Sequence, residues 1–219
     1  MNTSIRTSLA SAAFLLAATC AASQARAADY SFKFAGQGVS GSLTLTYGAA
    51  TDAKYARGYE VTGISGTLSD ATLGIVDVAV GALVPITRDA PEPTNLLAPN
   101  DFSRFFVLSG LPHGSLSFDN LFYPGGSPQT ATDYPFKGGS FDIYGLLFDI
   151  GGGRVVNLFS NGDAGGGVDY GVAVVTANQS LNYVEGGVAI TPVPEPSTFV
   201  LLGAGLLAGL TIRRRARSH

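Results

Sequence analysis

A chain of 219 residues with a formal net charge of −3 and 46% apolar residues is long enough for one domain with a real core. One cysteine and two histidines exclude a disulfide framework, a thiolate metal cage and an ordinary zinc site. No window before the last stretch shows helical periodicity of useful length.

The first 27 residues read as a secretory signal peptide. A polar start with Arg6 precedes the apolar run Ser8 to Ala22, and Ala25-Arg26-Ala27 places small residues before a cut between Ala27 and Ala28. This predicts an N-terminal signal helix, passage through the Sec translocon and removal by signal peptidase. A lipidated Cys20 is the weaker alternative, because Thr19 is bulkier than the residue usual before a lipidated cysteine. The exported domain, residues 28–191, then has no cysteine. It carries seven Lys and Arg against fifteen Asp and Glu, a net charge of −8. Such a balance argues against nucleic acid and anionic membrane surfaces as partners.

From Tyr30 onward short runs alternate and are broken by Gly, Pro, Asn and Asp. Leu43, Leu45 and Tyr47 alternate with Ser42, Thr44 and Thr46, so one face is apolar and the other hydroxylated. Tyr59 and Val61 repeat the pattern, and the polar stretch between Tyr47 and Tyr59 predicts a hairpin. Leu73 to Val80 is more continuously apolar, which predicts a central strand covered on both faces. Pro85 to Asp101 carries four prolines and reads as a long loop. Strands are predicted again at Arg104 to Ser109 and Leu116 to Tyr123. A second proline- and glycine-rich loop follows from Tyr123 to Lys137. Phe141 to Ile150, Arg154 to Phe159, Val168 to Thr176 and Leu181 to Ile190 complete the domain. Gly151-Gly152-Gly153, Asn161-Gly162-Asp163 and Ala177-Asn178-Gln179 are its turns. Nine or ten strands with turns this frequent predict an all-β, antiparallel, sandwich-like domain, with a partly closed barrel as the neighbouring possibility.

Residues able to do chemistry are few. His113 sits in Leu-Pro-His-Gly near Ser109, Ser115 and Ser117, but no Gly-x-Ser-x-Gly elbow exposes a nucleophile, and a turn residue is the plainer reading. Three carboxylate pairs, Asp142 with Asp149, Asp163 with Asp169 and Asp119 with Asp133, could serve a glycosidase if one pair flanked a bond. Solvated carboxylates on strands and turns are the alternative. Asn161 to Asp169 offers side-chain and bare carbonyl oxygens from a flexible loop. Asp163 and Asp169 are therefore the calcium candidates, set against a simple glycine-rich hairpin. Gly151 to Gly153 lacks the spacing of a phosphate cradle. Asn178-Gln179-Ser180 matches a glycosylation acceptor only formally. Aromatics crowd the middle, from Phe102 to Phe136, and are read as packing. No cofactor is expected.

The last stretch, 192–219, has three parts in fixed order. Pro194-Glu195-Pro196 can continue neither strand nor helix. An uncharged run from Phe199 to Ile212 follows, and then Arg213, Arg214, Arg215 and Arg217. Fourteen residues make about 21 Å of helix, short for a bilayer core of about 30 Å. The segment is thus expected to be a short, marginal transmembrane helix, oriented by arginines that stay on the cytoplasmic side. A second Pro-Glu-Pro, at Pro91 to Pro93, lacks the apolar run and the arginines.

This order of parts resembles the PEP-CTERM sorting signal of exported proteins. The resemblance covers the last tenth of the chain. It implies export by a Gram-negative bacterium that makes exopolysaccharide, a transient inner-membrane anchor, and recognition at Pro194, Glu195 and Pro196 by a membrane-embedded exosortase. The expected product is a non-enzymatic protein of the envelope, outer surface or extracellular matrix, associated with exopolysaccharide or biofilm. The alternatives are a secreted carbohydrate hydrolase using an aspartate pair and a permanently anchored surface protein.

Overall fold

The computed structural model describes residues 27–86, 106–111, 114–130, 137–163, 165–176 and 179–194. The expected terminal helices, the signal-peptide residue Ala25, His113, Asp133, Glu195, Pro196, the apolar run and the arginine cluster lie outside them.

Every regular element among the described residues is a β-strand. In chain order they are β1 (Ala28–Gly36), β2 (Val39–Thr51), β3 (Tyr59–Asp70), β4 (Ile75–Ala79), β5 (Phe106–Leu111), β6 (Gly114–Phe118), β7 (Leu121–Phe122), β8 (Leu146–Asp149), β9 (Arg154–Asp163), β10 (Val168–Thr176) and β11 (Gln179–Pro192). All the pairings are antiparallel. The main sheet runs β4-β3-β2-β1-β11-β10-β9-β8, with β7 added beside the start of β3. It curls into a half-barrel. Where the sandwich expectation had two facing sheets, one sheet folds round its own apolar face. The only other sheet among the described residues is the β5–β6 ribbon, and β5 lies against β11.

Alternation explains the inside of the curl. Phe32 and Phe34 on β1, Leu43 and Leu45 on β2, Leu68 on β3, Val172 and Val174 on β10, and Val184 and Val188 on β11 are buried in one cluster, with Phe122, Phe141 and Phe148. Each such side chain stabilises the fold by about 1.5–3 kcal/mol. β9 and β10 are buried on both faces. On the far side, Leu147, Ala173 and Val175 pack with Phe118 in a smaller second core. The strands covered on both faces are thus these two and β8, and not Leu73 to Val80. β4 is an edge strand: Val76 is 78% exposed, and Asp77 has a positive φ of 46°.

Beyond β4 the chain crosses to the opposite edge. Gly81 N donates to Asp149 O (2.8 Å), Asp149 N to Ala82 O (2.9 Å) and Val84 N to Leu147 O (2.8 Å), with Leu83 bridged to Phe148. Residues 81–84 thereby cover the free edge of β8 and tie the two ends of the curled sheet together, which removes one exposed ladder. Asn120 locks the crossing. Its Nδ2 donates to Val84 O and its Oδ1 accepts from Leu147 N, both at 2.9 Å, while its carbonyl accepts from Val61 N at 3.0 Å. One side chain and its own backbone therefore join β3, the crossing segment and β8. Asn120 adopts φ 52°, a conformation Asn tolerates better than most residues. It breaks the single strand expected from Leu116 to Tyr123 into β6 and β7. Asn182 Nδ2 makes a second tie by donating to Asp70 Oδ2 at 2.8 Å.

Candidate functional site

Two places carry functional weight: the exit of the C-terminal segment and a buried acidic cluster. β11 is an interior strand, paired with β10 along its first part and β1 along its last. Pro192 is its final residue and stands opposite Phe32. Pairing extends one residue further, because Val193 N donates to Ser31 O at 2.8 Å. Pro194 follows directly and is exposed. The Pro-Glu-Pro of the tail is therefore joined to the sheet with no spacer. At the other terminus Ala27 and Ala28 are both exposed at the start of β1, beside the end of β2.

The acidic cluster brings together two aspartates that the sequence reading had placed in different pairs. Asp119 and Asp142 are both buried, and the Asp119 side chain hydrogen-bonds to that of Asp142. Asp142 Oδ1 accepts from Tyr144 N (2.9 Å) and Gly145 N (3.1 Å), and its Oδ2 accepts from the Tyr123 hydroxyl (3.3 Å). Asp119 Oδ1 accepts from Leu121 N at 3.1 Å. Burial pushes the Asp142 carboxyl above the usual range, while the hydrogen bonds from Gly145, Asp119, Tyr144 and Thr130 pull it back. Burial also raises the Tyr123 phenol, and the Asp142 charge adds to that. Carboxyls that flank a glycosidic bond stand about 5–9.5 Å apart. The crevice beside Asp142, lined by Ser127, Thr130, Gly138 and Ser160, is too narrow to admit a water molecule.

Five other aspartates do local backbone work. Asp52 Oδ1 accepts from Lys54 N and Tyr55 N, and Asp70 Oδ1 from Thr72 N and Leu73 N. Asp149 Oδ1 accepts from Gly151 N. Asp163 Oδ1 takes Gly165 N and Gly167 N, and Asp169 Oδ1 takes Tyr170 N and Gly187 N. Each of the first four folds the two to four residues after it into a turn, as short acceptor side chains do. Asp142 does the same from its buried position. Asp149 caps its exposed turn apart from Asp142, so the structure does not join that expected pair.

The calcium candidates are also placed apart. Val168 pairs with Asp163 and Asp169 pairs with Gly162, so the two aspartates alternate onto opposite faces of the β9–β10 ribbon. Among the described residues no three His, Cys, Asp or Glu side chains converge on a cation position. Millimolar calcium should accordingly leave the melting temperature unchanged. A rise would show a cation held by the native state.

The family model of the PEP-CTERM protein-sorting motif matches residues 192–215. The chain carries a PEP-CTERM sorting signal. The match begins on the last residue of β11, so the PEP-CTERM signal and the half-barrel share Pro192. The signal marks an exported, envelope-associated protein that is processed by an exosortase. No curated protein and no solved structure matches the chain. Sequence reasoning singled out Pro194, Glu195, Pro196 and Arg213 to Arg215, which the match covers, and Arg217, which it does not. It missed the Asp119–Asp142 contact, which no spacing announces, because the two segments meet only after the sheet has curled.

Proposed function

We propose that the half-barrel is a non-enzymatic structural or binding domain of a Gram-negative cell surface, delivered to the exopolysaccharide or biofilm matrix by its PEP-CTERM signal. The route begins with Sec export and cleavage before Ala28. The run from Phe199 to Ile212 then holds the precursor in the inner membrane, with Arg213, Arg214, Arg215 and Arg217 on the cytoplasmic side. An exosortase acts at Pro194-Glu195-Pro196 and releases the domain outward.

The observation that carries the non-enzymatic reading is the closed acidic cluster. The Asp119–Asp142 pair is sealed from water and spent on holding turns, whereas a hydrolase needs its pair open to substrate. The remaining described aspartates mostly cap loops.

The test is the intact mass of the protein recovered from each compartment of its host. Loss of everything beyond the Pro-Glu-Pro region in the outer fractions is the expected result. A surface species that keeps Phe199 to His219 would establish a standing membrane anchor and remove the processing step. Hydrolysis of host polysaccharide by the released domain would sink the non-enzymatic reading.

A further inference from the structure

We propose that the β2–β3 loop, residues 52–58, is a docking site for anionic phospholipid headgroups, engaged while the precursor still hangs from its tail. The inference rests on the membrane-anchored stage proposed above and adds a surface to it.

Strand direction places the loop. β2 is antiparallel to β1, which is antiparallel to β11, so β2 and β11 run the same way. The loop after β2 and the tail after β11 therefore leave the half-barrel at one end. Pro192 is level with Phe32, which is level with Leu43. β2 continues from Leu43 to Thr51, which is about 26 Å of strand beyond that level. The tail has less slack. From Pro192, at that same level, to Phe199 at the start of the apolar run, the chain reaches at most about 25 Å, less than β2 together with its loop. With the apolar run in the bilayer, the loop meets the surface before the tether is taut.

The chemistry of the loop suits that surface. Ala53, Lys54, Ala56 and Arg57 are exposed. Lys54 Nζ lies 5.3 Å from the centroid of the Tyr55 ring. Lysine and arginine bind lipid phosphates, and tyrosine favours the headgroup layer. The frame beneath them is rigid: Asp52 N donates to Gly58 O (2.8 Å), Gly58 N to Tyr55 O (2.7 Å), and the Tyr55 hydroxyl to Thr130 O (3.4 Å). Lys137, beside Asp163 at the end of β9, lies at the same end, because β9 also runs parallel to β11. Of the other described cations, Lys33 lies in mid-strand on β1, opposite Ser42, and Arg154 sits at the far end, at the start of β9. Among the described residues Asp29, Glu60 and Asp163 are the exposed acids near the loop end, and Asp29 accepts from the Thr46 hydroxyl while Asp163 holds its own turn. The charge of −8 over the whole domain thus conceals a local site where two exposed cations stand at the end from which the tail leaves.

The experiment uses the chain as it stands after signal cleavage, residues 28–219, which has no cysteine of its own, spin-labelled at Ala56→Cys or at Val76→Cys near the opposite end. Each is reconstituted in phosphatidylcholine vesicles with or without phosphatidylglycerol. Flotation reads whether the tail anchors the protein. Relaxation of the label by a water-soluble collider reads whether the loop is at the surface. The expected result is flotation of both proteins, with the label at 56 shielded several-fold relative to the label at 76 when phosphatidylglycerol is present. Lys54→Glu with Arg57→Glu should abolish the shielding and leave flotation intact. Flotation with equal accessibility at both labels would overturn the loop assignment alone. Shielding that survives the double charge reversal, or that needs no anionic lipid, would overturn headgroup recognition. Failure to float would overturn the anchored stage, and the docking site with it.

Discussion

Replacing Asp142 with alanine should destabilise the exported domain by about 3–5 kcal/mol, the cost of removing one partner from a buried charged network. The loss is large because one carboxylate serves five groups. Tyr144 N, Gly145 N and the Tyr123 hydroxyl would lose their acceptor, and the Asp119 and Thr130 side chains would lose a hydrogen-bond partner. Gly145 would loosen in turn, and its carbonyl accepts from Asn120 N at 3.0 Å. Asn120 holds the crossing between the edges of the sheet, so the damage would reach the closure. Asp142→Asn keeps an acceptor at Oδ1 and should cost about 1 kcal/mol. Urea unfolding of the three proteins checks the order. A loss under about 1 kcal/mol for alanine would mean that the cluster does not hold the fold.

The same carboxyl gives a pH dependence of unusual sign. Its folded value is raised, so the native state binds the proton more tightly than the unfolded chain. Its contribution is full below about pH 4, the ordinary carboxylate value, and is lost as pH rises through the folded value. The Tyr123 phenol, raised by burial and then by Asp142, acts with the same sign at the alkaline end: its contribution holds below about pH 10 and is lost above. Asp142→Asn removes the first of these. The stability difference between the native protein and Asp142→Asn should therefore shrink from acid toward neutral pH. A difference that stays flat between about pH 3 and 8 would show that Asp142 titrates alike in both states.

What the sequence made legible follows from range. Gly151 to Gly153 all have positive φ, at 80°, 66° and 72°, and a run of glycines announces such a turn directly. Asn161-Gly162-Asp163 marked the β9–β10 hairpin and the alternation after Ser42 marked β2, because each is a neighbour effect. The sorting signal was legible for a similar reason, being read as a linear string. The closure was not. Nothing local says that residues 81–84 pair with β8, or that Asn120 meets Val84 and Leu147. Leu73 to Val80 looked central because of its apolar run, yet Asp77 turns the backbone, with its N–H taking the Ser69 hydroxyl at 2.9 Å, and Val76 faces out. Phe141 to Ile150 looked like one strand, but Asp142 bends its first half around its own carboxylate.

Gly66→Ala should be the other severe change, with an expected loss of about 3–5 kcal/mol from backbone strain and overpacking together. Gly66 has φ 136°, a conformation closed to side chains of L configuration. A Cβ there would run into the carbonyl oxygen of Ser42 on the paired strand, which cannot move without breaking the β2–β3 ladder. The residue is also a junction. Leu43 stands opposite it, and its carbonyl accepts from Val80 N at 3.0 Å, where the chain leaves β4 for the crossing. Strain at Gly66 therefore acts on the sheet and on the segment that ties its edges. Gly74→Ala is the control. Its φ is 65° and nothing lies within 4 Å of a Cβ built there, so only the left-handed backbone is penalised, by about 1–2 kcal/mol. Thermal unfolding of the two variants separates the effects. If Gly66→Ala melts no lower than Gly74→Ala, the close approach of β2 and β3 is dispensable, and the curl is held by the pairing of residues 81–84 with β8 and by the Asn120 and Asn182 ties.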